Sequence, residues 1–72
     1  SNARHIGAPM PGIVRTVGVS VGQKIARGAV VATLEAMKLE ATVCAELDGV
    51  VAEVVAKPAM QVDAKDLLIV LE

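Results

Sequence analysis

The eight residues Leu34-Glu35-Ala36-Met37-Lys38-Leu39-Glu40-Ala41, LEAMKLEA in one-letter code, decide the fold. Ala, Leu, Met, Glu and Lys are the strongest helix formers, and Glu35 precedes Lys38 by three residues, as an ion pair on a helix face would. By local propensity the segment is a helix. Its surroundings say otherwise.

Sliding the sequence against itself by about 37 positions aligns Pro11 to Glu35 with Asp48 to Glu72. Gly12 meets Gly49, Val14 meets Val51, Val17 meets Val54, and Leu34-Glu35 meets Leu71-Glu72. Upstream the register holds, with Ala8 on Ala45 and Met10 on Leu47. Two similar halves imply a pseudo-twofold fold. Only Ala36 to Thr42 lies between the copies, and that unmatched interval contains Lys38.

Each half is rich in valine and broken by Gly or Pro every few residues, the pattern of short strands joined by tight turns. Gly22 and Gly28 are placed to take the positive φ that such turns need. Val14 and Val17, repeated as Val51 and Val54, are spaced by three, which strict alternation cannot place on one face, so each half is expected to carry a bulge or a corner. The run DLLIVLE (66–72) has the character of a strand, and its counterpart AVVATLE (29–35) should be one too. Downstream, LEATVCAE (39–46) alternates Leu39, Ala41, Val43 and Ala45 on one face with Glu40, Thr42, Cys44 and Glu46 on the other. No length remains for a helix.

Face parity then fixes the connection. The expected inward residues are Val30, Ala32, Leu34 and Ala36 in the incoming strand and Leu39, Ala41, Val43 and Ala45 in the outgoing one. Opposed residues of an antiparallel pair share a face, so the loop must contain an even number of residues, and two is the natural choice. Ala36 then pairs with Leu39, Leu34 with Ala41 and Ala32 with Val43, with Met37-Lys38 as the tip. Glu35 and Glu40 oppose each other on the outer side, a mildly unfavourable pairing. A two-residue turn of the primed type wants Asn-Gly or Asp-Gly, because both central residues take positive φ. Met-Lys is a poor sequence for it, and strain accepted without structural benefit is where function should be sought.

Composition narrows the classes further. The chain of 72 residues makes one small domain with no room for a cleft between domains, and its 54% hydrophobic content includes no aromatic residue. A core of Val, Leu, Ile, Ala and Met in thin layers suits a flat sandwich. A formal charge of −1 with scattered Lys and Arg offers no basic stripe for nucleic acid. Apolar runs are too short to span a bilayer, and no membrane association is expected. The single Cys44, on the polar face of its strand, has no internal partner, and with no His or second Cys nearby no metal site is expected. Ser1-Asn2-Ala3 looks like the remnant of an expression tag, which leaves 4–72 as the domain, expected to be part of a longer chain. His5, close to that junction, is expected to be linker.

Glu35-Ala36-Met37-Lys38-Leu39-Glu40 resembles the biotin-attachment motif of biotin-dependent carboxylases, with Leu39 where the family most often has a second Met. Gly12, Val14, Val17, Gly22, Val30, Leu34, Val43, Gly49, Val51 and Val54 fall where biotinyl domains have recurrent glycines and aliphatics. The lead-in His5-Ile6-Gly7-Ala8-Pro9-Met10-Pro11-Gly12 is similar to the start of the carboxyl-terminal carrier domain of pyruvate carboxylases. Two departures stand out: glycine is usual where this chain has Ala59 and Lys65, and Pro58 lies beside them, which leaves the turns of the second half open to a different geometry.

The resemblance implies an all-β domain: a flattened barrel or sandwich of two four-stranded antiparallel sheets with pseudo-twofold symmetry, the lysine on a hairpin at one end and both termini toward the other. Gly12 to Gly22 is too short to hold the thumb loop of some acetyl-CoA carboxylase carriers. It also implies biotin joined covalently to Lys38 by a biotin protein ligase, and carriage of a carboxyl group from a biotin carboxylase domain to a carboxyltransferase domain, with pyruvate the expected acceptor. Glu35, Ala36, Met37, Leu39 and Glu40 are then residues by which the tip is recognised. No catalytic residue is expected in the chain itself, and the expected compartment is the cytoplasm, or the mitochondrial matrix in a eukaryote. Alternatives are another biotin-dependent carboxylase or decarboxylase as parent, a lipoyl carrier, and an unmodified structural module. For Met37 and Leu39 the competing role is packing against the end of the sandwich, and for Lys38 it is a solvated charge.

Overall fold

Valine-rich segments cut by Gly and Pro form eight short strands in the computed structural model, which describes residues 4–72 and contains no helix among them. The expected tag remnant Ser1-Asn2-Ala3 lies outside the described residues. The strands are β1 (His5–Gly7), β2 (Gly12–Val17), β3 (Lys24–Ile25), β4 (Val30–Ala36), β5 (Leu39–Cys44), β6 (Gly49–Val54), β7 (Gln61–Val62) and β8 (Leu67–Leu71). They make two four-stranded sheets, in the orders β1-β8-β6-β3 and β5-β4-β2-β7, with every pair antiparallel. His5 is therefore not linker: it opens β1 opposite Val70.

The internal repeat reappears as symmetry. β2, β3 and β4 recur as β6, β7 and β8, and β5 occupies the place in its sheet that β1 holds in the other. Each half reaches into the other's sheet, because β2 pairs with β7 while β6 pairs with β3. The backbone bonds repeat in the same sense. The Val14 N–H donates to the Met60 carbonyl at 2.8 Å and the Ala59 N–H to the Val14 carbonyl at 2.7 Å. In the other half the Val51 N–H donates to the Gln23 carbonyl at 2.9 Å and the Gly22 N–H to the Val51 carbonyl at 2.8 Å. Ala41 lies opposite Leu34, and at the equivalent place the Leu71 N–H donates to the Arg4 carbonyl at 2.7 Å. The two ends of the described chain thus meet where symmetry would put a second Met-Lys tip.

The bulges expected from the valine spacing are present. The β2–β4 register shifts between Val14 and Thr16, and the β6–β8 register shifts between Val51 and Glu53. Between the sheets lies a core of aliphatic side chains. Leu34, Leu68, Ile69, Val14, Val31 and Val51 are its largest fully buried members, and no described polar or charged residue is buried with them. Burying a side chain of that size removes enough apolar surface to stabilise by about 1.5–3 kcal/mol each. Two expected core residues, Val30 and Leu39, are exposed instead. Val30 is 50% exposed and Val31 is buried, because the β4–β5 register shifts between Val30 and Ala32 and breaks the alternation there. Ala36 and Ala41 are half-buried, Val43 and Ala45 buried.

The turns of the second half keep the geometry of the first despite the missing glycines. Gly22 and Gly28 have φ of 88° and 89°, and their repeat counterparts Ala59 and Lys65 have φ of 70° and 72°. A residue with a Cβ pays about 1–2 kcal/mol in this region; glycine avoids that penalty but loses about 0.5–1 kcal/mol more on folding. Ala59→Gly and Lys65→Gly are each expected to stabilise the domain by up to about 1 kcal/mol, read as a higher urea midpoint at unchanged m-value.

Candidate functional site

The hairpin β4–β5 has the register that parity demands: Ala36 opposite Leu39, Glu35 opposite Glu40, Leu34 opposite Ala41 and Ala32 opposite Val43. Met37 and Lys38 form the tip with φ of 51° and 69°, both positive as a primed two-residue turn requires. The helical propensity of LEAMKLEA is overridden because strands on both sides must pair to bury Leu34, Val43 and Ala45.

Close packing of β2 supports the hairpin from below. A Cβ on Gly12 would stand 2.6 Å from the Glu35 carbonyl oxygen, so only glycine lets β2 lie this near the base of the tip. Ile13 pairs with Glu35 on one side and Gln61 on the other, and Glu35 pairs with Glu40, so Gln61, Ile13, Glu35 and Glu40 form one row across the outer face of the sheet. Within it Arg15 reaches over from β2: its Nη1 donates to Glu35 Oε1 at 2.8 Å. Next along the sheet the Thr16 and Thr33 hydroxyls hydrogen-bond at 2.7 Å.

Beyond this row the tip stands clear. Met37 is 94% exposed and Leu39 is 73% exposed, so neither packs on the sandwich end and Leu39 does not join the core as its alternation suggested. Lys38 is exposed, Ala36 half-buried, and Glu35 and Glu40 exposed. Shallow depressions beside β1 and β5, and beside β3 and β6, do not include the tip. Among the described residues no group of three or more His, Cys, Asp or Glu is placed to hold a metal ion. The arrangement presents one primary amine, flanked by apolar side chains and two carboxylates, on a two-residue turn. It suits an amine acted on by another protein.

Sequence reasoning missed Arg15 and the close approach at Gly12. The Val14–Val17 spacing narrows the extra residue to Arg15 or Thr16, and the register identifies it as Arg15; which acid it meets has no signal in the sequence.

The family described as biotin-requiring enzyme matches residues 4–71, and the chain belongs to it. Within that family it is a biotinyl domain of the carboxyl-carrier kind. It is 43% identical to the pyruvate carboxylase of Staphylococcus aureus over 72 residues, covering 100% of this chain and 6% of that protein. The crystal structure of a pyruvate carboxylase from Rhizobium etli matches with a TM-score of 0.82 and 48% identity, covering 97% of this chain and 6% of that one. The Kluyveromyces lactis urea carboxylase matches with a TM-score of 0.88 and 29% identity, covering 94% of this chain and 6% of that one. The chain therefore spans about 6% of the length of each of these relatives.

Proposed function

We propose that Lys38 is the attachment point for biotin and that the domain carries a carboxyl group between a biotin carboxylase site and a carboxyltransferase site of a larger enzyme, with pyruvate as acceptor. The observation that carries this reading is the tip itself: two non-glycine residues at φ of 51° and 69° hold one amine clear of both sheets. Positive φ alone does not mark the site, since Ala59 and Lys65 adopt it in the second half; what sets Lys38 apart is its place in the interval that the repeat leaves unmatched, between Met37 at 94% and Leu39 at 73% exposure. The residues fit a covalent cofactor. An exposed primary amine can attack an acyl adenylate, forming an amide and releasing AMP, and no neighbouring side chain is hydrogen-bonded to it among the contacts at the tip. Bound there, biotin supplies the group that accepts a carboxyl at one site and yields it at the other.

The chain's own contribution is presentation. The four-carbon lysine stem adds reach, and its acylation removes a charge from the tip. Met37 and Leu39 offer adaptable apolar contact to a docking partner without a pocket of their own. Tethering through a linker keeps the tip near both sites at an effective concentration of order mM, so docking can stay weak and reversible. A biotin protein ligase is the partner that loads the lysine, and the cytoplasm the compartment, or the mitochondrial matrix if the source is eukaryotic. The pyruvate carboxylase likeness at 43% identity supports the choice of acceptor. The urea carboxylase likeness favours a different parent as the second reading.

The test is intact mass after incubation with biotin protein ligase, ATP and biotin. Wild type is expected to gain one biotinyl group and Lys38→Arg none. Equal gain by both would remove Lys38 from the site, and a lipoyl gain with lipoate ligase alone would move the domain to acyl transfer.

A further inference from the structure

Arg15 is the extra residue of the β2 bulge: Val14 pairs with Leu34 and Thr16 with Thr33, leaving Arg15 without a partner of its own in β4. A bulge re-aims the side chain it carries, and here the guanidinium is brought to Glu35 at 2.8 Å. The molecule contains its own control. Symmetry builds the same bulge in β6, where the extra residue is Ala52 and the acid equivalent to Glu35 is Glu72. The bulge thus forms without an arginine, and the ion pair exists in the half that bears the tip.

Stability does not explain it. The two side chains are 53% and 47% exposed, and a pair so open to water adds little to folding. Its effect is local. Glu35 lies directly across from Glu40, and two carboxylates so opposed repel. Arg15 offsets that repulsion and restricts the Glu35 side chain to one side of the hairpin. We infer that Arg15 is a positioning residue: it fixes the Glu35 carboxylate beside the tip so that the ligase which acylates Lys38 meets a preformed acidic contact. The inference rests on Lys38 as the attachment site.

Its consequences are kinetic. With Arg15→Ala, kcat/KM for biotinyl transfer by biotin protein ligase, with the domain as varied substrate, is expected to fall roughly three- to tenfold at low salt, through KM and with kcat unchanged. Arg15→Glu should lower it further, and Arg15→Lys should restore part of the loss because the charge returns without the planar fork. In a Glu35→Gln background the Arg15→Ala change should shrink to less than about twofold, the signature of two residues acting as one unit. Raising salt to about 0.5 M should narrow the gap between wild type and Arg15→Ala.

The urea midpoint of each variant separates presentation from folding. Midpoints close to wild type are expected. A large drop matching the kinetic loss, an unchanged or lowered KM in Arg15→Ala, or an undiminished effect in the Glu35→Gln background would each overturn the role. Should wild type itself take up no biotin, the Lys38 reading fails; should wild type be loaded and Arg15→Ala be loaded just as fast, only the role of Arg15 fails.

Discussion

Leu34→Ala is expected to leave the domain largely unfolded at room temperature, whereas Leu39→Ala, five positions along the same hairpin, should leave its stability within about 0.5 kcal/mol of wild type. Both substitutions remove the same atoms. Leu34 is fully buried between the sheets, and its truncation loses the transfer energy of the side chain and opens a cavity that the surroundings fill only in part. The usual cost of such a change is about 2–5 kcal/mol. A single core in a chain this short supplies little more than about 3–5 kcal/mol of net stability. Leu39 is 73% exposed and buries almost nothing. Its loss should appear instead in how well the tip is recognised. Chemical denaturation followed by far-ultraviolet circular dichroism checks the first, and comparable stability losses in the two variants would refute the burial assigned to them.

Gly12→Ala is expected to cost about 1–3 kcal/mol, the range for forcing atoms into an already filled space, and more than the same change at Gly49, its repeat counterpart. The difference is in what the new methyl group meets. At Gly12 the Cβ would stand 2.6 Å from the Glu35 carbonyl oxygen, a backbone atom held in two strand pairings. At Gly49 its nearest neighbour is the Leu71 Cδ1 at 3.4 Å, an ordinary contact with the far end of a side chain. Relief at Gly12 requires β4 to shift beneath the tip, so slower acylation of Lys38 should accompany the lost stability. Equal effects at the two glycines, in melting temperature and in rate of acylation, would show that the tight approach is not particular to the tip.

Much of this architecture is legible in the residues, and the reasons are specific. The hairpin register follows from face parity in two short strands, which a shift of one residue would turn inside out. Both bulges follow from a spacing of three between valines, and the non-helical state of LEAMKLEA from its position between two copies of one motif. What escapes is what depends on several strands at once. Val30 looks inward by alternation, but an irregularity against β5 turns it out and puts Val31 in its place. Leu39 matches the apolar pattern of β5 yet is left exposed at the end of the hairpin. Arg15 finds Glu35 across β2 and β4, twenty positions away. Ala59 and Lys65 adopt the turn conformation of the glycines they replace because strand pairings on either side dictate it, against local preference.

The exchange of strands between the halves has a consequence in time. β2, which lies under the tip, completes its pairing only with β7, and the core beneath Leu34 closes only with Leu68, Ile69 and Leu71 of β8. Met37 and Lys38 leave the ribosome midway through this chain, but the platform that holds them does not exist until its final strand has been made. Neither half closes a sheet by itself, because each lends a strand to the other's. An enzyme that recognised the tip by its shape would therefore meet that shape only in finished domains.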